Sequence, residues 1–377
     1  MIYLLRCNSI ISDSRAQKYI DFYNNHNIKY RVLGWDRLNE GISLPCTDFY
    51  NKKSGYNVGG MKAAKDRLSW MKYIVNYLRS CNDDNIIIHA CDLDTAFPAC
   101  IYKSFFNKKA IVIFDIFDWY SDNLSTQSAL IKCGFKIMEK YSIKHSDEVI
   151  ICEEERIKQI PYHLNKKELI FPNIPFFQNY DFLAKDNKYK FNNNLITLSY
   201  VGGFVNDRCL DILLQLVENK LVNLLIAGFG QQDFVDKCSK LSKELDNIKY
   251  FGKVKYSEGL NIMYNSDIIY AMYSKISPNN IFAAPNKYYE AMLLGKAIIS
   301  TKGIILENKI QKNNIGYIVE ESYKDMSLLI KSLKREDINA KSLNAQKLWD
   351  STYCNYTKNF LENDYWNTIN SGFLHKR

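Results

Sequence analysis

The chain has 377 residues, of which 47% are apolar, 14% aromatic and 24% charged; this is more than one ordinary core accommodates, suits two domains and excludes a disordered chain. Lysine and arginine exceed the acids by nine, but residues 1–180 carry 24 basic and 20 acidic groups and the remainder 26 and 21. The excess is spread along the chain, not gathered into the stripe that marks a nucleic-acid binder, and it favours anionic small substrates or an anionic membrane surface. Ten cysteines lie far apart, without a C-x-x-C pair or histidines at ligand spacing. This argues against a zinc site and reads as free thiols in a reducing compartment. The opening MIYLLRCNSI lacks the pattern of a secretory signal, and no apolar run approaches the ~18 residues of a membrane span. These features predict a cytoplasmic protein.

In chain order, short apolar runs alternate with segments of helical period, the pattern of repeated βα units. Strands are predicted at 2–5, 30–33, 86–89, 110–114 and 148–152, with helices over 13–24, 62–78 and 128–144. After Phe171-Pro172-Asn173-Ile174-Pro175 the polar and aromatic segment 178–194 lacks periodicity and reads as a linker. A second series places strands at 196–201, 221–227, 248–251, 268–271, 297–300 and 316–319, and the aromatic stretch 345–370 is helical. Two doubly wound parallel-sheet domains follow, with ligands expected at the carboxyl ends of the strands.

Several motifs sit at such strand ends. Pro285 opens PNKYYEAMLLGKAII, which puts Lys287 and Glu290 on one helical face. A helix N-terminus with an added lysine suits a diphosphate, and the glutamate can accept from ribose hydroxyls; an ordinary i, i+3 ion pair is the competing reading. Gly202 and Gly203 end a strand shortly before Arg208, whose guanidinium can grip phosphate with two parallel bonds; a turn followed by a solvated arginine is the alternative. Gly228 ends the next strand, and Lys253 and Val254 follow a short third one. In the first half, Asp115 and Asp118 lie in FDIFDWYSD, where helix capping competes with a functional reading. Asp92 and Asp94 form a D-x-D, but the phosphate-binding features lie in the other half, which disfavours a metal-diphosphate role. Ser12, Asp13, Ser14 and Arg15 sit between the first strand and helix, again at a strand's carboxyl end, where a helix cap and an exposed arginine compete with a functional reading. Glu139 falls in a helix, where most glutamates are simply solvated. Lys62, Lys65, Arg67 and Lys72 accompany Met61, Leu68, Trp70, Met71 and Ile74 on a helix that suits either an anionic lipid surface or an ordinary core-facing role.

The blocks NSIISDSRAQKYIDFYNNHNIKYRVLGWDR, HACDLD, FDIFDWYSD, MEKYSIKHSDEVIICEEER, FPNIP, YVGGFVNDRCLDILL, LLIAGFG, NIKYFGKV, NSDIIYAMYS and PNKYYEAMLLGKAII resemble, in this order, the GT-B glycosyltransferases, specifically the large retaining family 4. The resemblance implies two Rossmann-like domains facing a central cleft and a final helix crossing back to the first. It implies an acceptor-binding domain over 1–175, a linker over 176–195, a nucleotide-sugar-binding domain over 196–350 and the returning helix over 351–377. It also implies a hexosyltransferase-type enzyme that takes a sugar from a nucleotide diphosphate donor, with no metal or other cofactor required. The acceptor would be a glycan or lipid-linked oligosaccharide of a bacterial surface polysaccharide such as O-antigen or capsule, met at the inner face of the cell membrane, with peripheral membrane contact and no nucleic-acid partner.

By the same resemblance, Gly202, Gly203, Arg208, Gly228, Lys253, Val254, Asn286, Lys287, Tyr288 and Glu290 bind the donor, and Asp118, Arg208 and Lys287 act in catalysis. Ser14, Arg15, Asp92, Asp94 and Glu139 face the acceptor. The chain departs from the family pattern where Phe204 replaces a second basic residue, Cys209 a glycine, and Phe282 the first acid of E-x(7)-E. Those departures keep two alternatives open: a non-catalytic nucleotide-sugar or glycan-binding protein, and a nucleotide-sugar epimerase. A dehydrogenase is disfavoured because neither half shows a full G-x-G-x-x-G after its first strand.

Overall fold

The computed structural model describes residues 1–10, 13–54, 60–81, 83, 85–123, 129–160, 168–175 and 180–374. Ser12, Ser128 and residues 176–179 therefore lie outside the described residues, as do the side chains of Met61 and Lys62. The chain forms two compact units, Met1–Pro172 with Thr357–Arg377, and Asn173–Tyr356.

The first unit is built on seven parallel strands: β1 (Ile2–Arg6), β2 (Tyr30–Trp35), β3 (Thr47–Tyr50), β4 (Ile87–Cys91), β5 (Ile111–Ile116), β6 (Glu148–Ile151) and β7 (Leu169–Ile170). Their order is β3-β2-β1-β4-β5-β6-β7. Leu4 stands between Val32 on one side and His89 on the other. The order reverses at β1 and β4, which opens a crevice beyond their carboxyl ends. Central strands carry unbroken apolar runs because helices cover both faces. Asp13 starts the Ser14–Asn25 helix by accepting from the amides of Arg15 and Ala16, and Ala16, Tyr19, Phe22 and Tyr23 turn inward at helical spacing. In the Gly60–Ser80 helix, Trp70, Ile74 and Leu78 are fully buried, and Trp70 stacks on Trp35 with centroids 5.7 Å apart. Its apolar side thus belongs to the core; among the described side chains of the named apolar set, Leu68 alone is exposed.

The second unit has six parallel strands: β8 (Thr197–Phe204), β9 (Asn223–Gly230), β10 (Ile248–Tyr250), β11 (Ile268–Ala271), β12 (Ala297–Thr301) and β13 (Gly316–Val319), in the order β10-β9-β8-β11-β12-β13. Its switch point lies between β8 and β11. Residues 180–195, read from sequence as linker, pack into this unit. Tyr189 is buried and donates to Glu258 over 2.6 Å, and the Ala184 amide donates to Asn261 over 3.0 Å.

The C-terminal stretch continues as the Arg335–Leu348 helix, π-helical turns at Trp349–Tyr353 and Phe360–Tyr365, and the Trp366–Leu374 helix. Its last part belongs to the first unit. There Phe360 stacks on Phe171 at 4.3 Å, and the fully buried Tyr365 hydroxyl meets Tyr23 and, at 2.8 Å, His89 Nδ1. Among the described residues no helix is long and apolar enough to cross a membrane.

Candidate active site

The carboxyl ends of β8, β9 and β11 bring most of the expected donor residues together. Gly228 lies beside Gly202 in the β8–β9 register. A Cβ on Gly228 would collide with the Gly202 carbonyl and lie 2.6 Å from Phe204 Cε1, so the strands approach this closely only because the residue is glycine. Gly202 is crowded differently: a Cβ there would sit 3.1 Å from Lys287 Nζ. The lysine comes from the first turn of the Asn286–Leu293 helix, capped by Pro285, whose leading amides have no acceptor within the helix.

Lys287 Nζ lies 4.9 Å from the centroid of the Tyr200 ring and, among the described residues, has no hydrogen-bond or ion-pair partner. Burial pushes its pKa down; Glu290 opposes that shift and Arg208 adds to it. Arg208 closes the short helical turn Asn206–Arg208, packs over Tyr273 at 4.7 Å and is held by Asp207 at 2.8 Å. Asn280 fixes this turn by donating to Asp207 over 3.0 Å and to the Ser274 carbonyl over 2.9 Å. Two cations are therefore held near one another on tyrosine faces, an arrangement that an anion would stabilise. Glu290 is buried and accepts from the Tyr256 hydroxyl at 2.9 Å, and burial raises its pKa.

The remaining donor-side residues divide. Gly203 and Asn286 are exposed. Exposed Lys253 lies 4.7 Å over the Phe229 ring, while Val254 is partly buried. Tyr288 has its ring buried against Tyr289 in the core, and its amide donates to the Pro285 carbonyl over 3.1 Å. The departures from the family pattern also gain physical reasons. Phe204 is fully buried beneath the β9 glycines, so a cation there would point into the core. Cys209 adopts the left-handed conformation, φ 52°, which glycine takes without strain. Phe282 caps the four-residue helix Pro278–Ile281. Asn280, just ahead of it, is buried and occupied by Asp207 and Ser274. Tyr200, Tyr256 and Tyr273, which contact Lys287, Glu290 and Arg208, escaped sequence reading, because nothing marks them among 27 tyrosines.

In the first unit, the strand ends gather a dense ionic network. Asp92 pairs with Arg6 and accepts the Phe117 amide over 3.0 Å. It sits at φ 70°, ψ 170°, a conformation costly for any side chain but glycine, and such strain accumulates at functional positions. Burial raises its carboxyl to about 6, with Arg6 opposing and nearby Asp118 adding to the rise. Asp118 is exposed and paired with Arg156 at 3.3 Å. Ser14 is exposed.

Three expected acceptor residues are structural instead. Arg15 is buried and grips Asp115 through two bonds of 3.0 and 2.7 Å while donating to the Phe171 carbonyl, so it has no reach toward an acceptor. Asp94 is fully buried and bound by Tyr120 at 2.6 Å and Cys7 at 3.2 Å, so the D-x-D does not present two open carboxylates. Glu139 is buried and accepts the Ser121 amide at 2.8 Å. His89, Cys91 and Asp115 place potential metal-ligand atoms within 4.8 Å, but Asp115 is already occupied by Arg15, Tyr19 at 2.9 Å and His89 at 3.4 Å.

Residues 181–347 match the family model described as Glycosyl transferases group 1. Among solved structures, the chain is similar to sucrose-phosphate synthase from Thermosynechococcus elongatus, with 11% identity over 98% of this chain and 99% of that one and a TM-score of 0.71. It is also similar to HepE of Anabaena, solved in complex with UDP, with 13% identity, coverage of 96% and 98% and a TM-score of 0.64. A trehalose-6-phosphate protein from E. coli, bound with UDP-2-fluoro glucose, gives 9% identity, coverage of 96% and 98% and a TM-score of 0.68. No curated protein matches in sequence. The fold is that of the GT-B class, and residues 181–347, which make up most of the second unit, resemble the group 1 glycosyl transferases.

Proposed function

We propose that the second unit binds a nucleotide diphosphate sugar with its diphosphate between Lys287 and Arg208, and that the enzyme passes the hexose to a hydroxyl of a glycan or lipid-linked oligosaccharide in a bacterial surface polysaccharide. The observation that carries the donor reading is Lys287: an unpaired ammonium, directed at Gly202 and beside a second cation. The bond from the anomeric carbon to the diphosphate oxygen breaks, a bond to the acceptor oxygen forms, and the hydroxyl proton is released. Lys287, Arg208 and the first-turn amides offset the charge that gathers on the departing diphosphate. Glu290, anchored by Tyr256, accepts from the ribose hydroxyls. Retention of configuration is part of this reading by resemblance to family 4. In the first unit, Asp118 and Asp92 are the acidic groups placed at strand ends to meet the acceptor. Arg6 and Arg156 hold them.

The test is a thermal-shift panel of nucleotide sugars and nucleoside diphosphates on the purified chain. A ligand that binds the native state raises the melting temperature, and Lys287→Ala should weaken that ligand roughly 10- to 100-fold, the loss of one charged hydrogen bond. An unchanged response in the variant would overturn the donor assignment.

A further inference from the structure

The Ala129–His145 helix is dressed differently from the other helices. Its inner face is set by buried Glu139, Ser142 and Ile143. Tyr141 holds it to the neighbouring Leu93–Phe105 helix through an edge contact with Phe97 at 5.6 Å and a hydroxyl bond to Ser104 at 2.8 Å. At ~100° per residue, Leu130 and Ile137 fall opposite that face, where a soluble helix carries polar groups. Both are bare: Leu130 is 86% exposed and Ile137 63%, with Ile131 beside them at 48%. Among the described residues no other helix carries three exposed large apolar side chains.

The charge on the same helix has one sign. Lys132, Lys136, Lys140 and Lys144 recur every fourth residue; Lys136, Lys140 and Lys144 are exposed, Lys132 is half-buried on the side of Glu139, and Glu139, the helix's single acid, is buried. A protein partner that covered Leu130 and Ile137 would also have to meet a row of lysines. An anionic bilayer supplies both complements, hydrocarbon for the apolar side chains and phosphate for the ammoniums.

We propose that the outer face of the Ala129–His145 helix docks the first unit onto an anionic lipid bilayer, with Leu130, Ile131 and Ile137 in the acyl boundary and Lys136, Lys140 and Lys144 among the headgroups. The Gly60–Ser80 helix, which its sequence also suited to lipid, has its apolar side in the core and leaves the task to this helix. The helix begins after the β5 end that carries Asp118, so docking would bring lipid to the acceptor side of this unit. The inference stands apart from the donor assignment, since vesicle binding requires no nucleotide.

The experiment is flotation of the full chain with vesicles of phosphatidylcholine alone and of phosphatidylcholine containing one quarter phosphatidylglycerol. Retention should be at least about tenfold stronger on the anionic vesicles and should fall with salt. Leu130→Ser with Ile131→Ser and Ile137→Ser should reduce it about tenfold or more. Replacing Lys136, Lys140 and Lys144 by glutamine should reduce it toward the neutral-vesicle level, about fivefold per lysine. All six changes are at exposed positions of the helix, so melting temperature should be preserved, and the lysine variant carries the test if the serine variant is unstable. Equal retention on both vesicle types, or retention unaffected by the substitutions, would overturn the proposal. So would self-association that the serine variant abolishes in a chain that does not float.

Discussion

Lys287, Arg208 and Glu290 stand out in the sequence because the features that mark them are local: a helix start, a strand end and a three-residue offset. The burial of Arg15, Asp94 and Glu139 is not legible for the opposite reason. Their partners Asp115, Cys7, Tyr120 and Ser121 lie 18 to 100 residues away, and sequence does not show that a carboxylate or guanidinium is buried. Glu139 makes the point measurable. Burial raises its carboxyl to about 7 from an ordinary value of 4.5. Below that ordinary value both states are protonated and the native state bears no penalty. As pH rises toward about 7 the unfolded chain ionises first, so stability falls through this window and levels off above it. Glu139→Gln keeps an acceptor for the Ser121 amide and cannot ionise. Relative to the natural chain it should melt higher near pH 8, by up to roughly 3 kcal/mol of stability, with the advantage vanishing below pH 4.5. Thermal denaturation at several pH values checks this.

At the scale of elements, the predicted strands correspond to β1, β2, β4 to β6 and β8 to β13; the central ones are apolar runs that helices bury on both faces, while the edge strands β10 and β13 are short and largely half-buried. The missed strands are β3, whose TDFY sequence mixes polar and aromatic residues and is half-buried, and β7, which is two residues long. Both also lie at sheet edges, and neither offers the run of consecutive aliphatic residues that identifies a strand. The paired ends of β8 and β9 lead to a second prediction. Gly228→Ala forces a methyl into the Gly202 carbonyl and should cost about 3 kcal/mol, with loss of nucleotide response in the thermal-shift assay. The C-terminal segment leads to a third. Tyr365→Phe removes the hydroxyl shared by Tyr23 and His89 and should destabilise the first unit by about 1–3 kcal/mol in chemical denaturation.

For the whole molecule, length and alternating patterning were enough to indicate two doubly wound units, and the ordered blocks indicated a glycosyltransferase. The sequence did not reveal which surface is bare. In both the Gly60–Ser80 and Ala129–His145 helices lysines accompany apolar residues, and only packing separates a helix whose apolar side is covered from one whose apolar side is open. Nor did composition show that residues 180–195 belong to a core. Their anchoring bonds to Glu258 and Asn261 span about 70 residues or more. A chain ending at Tyr356 should retain the Lys287 and Arg208 arrangement while losing the Tyr365 contacts. Calorimetry should then show nucleoside diphosphate binding preserved and a lowered transition for the first unit.

The assignment of Thr357–Arg377 to the unit begun by Met1 has a consequence for biogenesis. The half translated earliest remains unfinished until residues 357–374 have been made, and the half translated later has every residue it needs sooner. A nascent chain should therefore expose Tyr19, Tyr23 and His89 until that segment has emerged from the ribosome, and become protease-resistant there only afterwards.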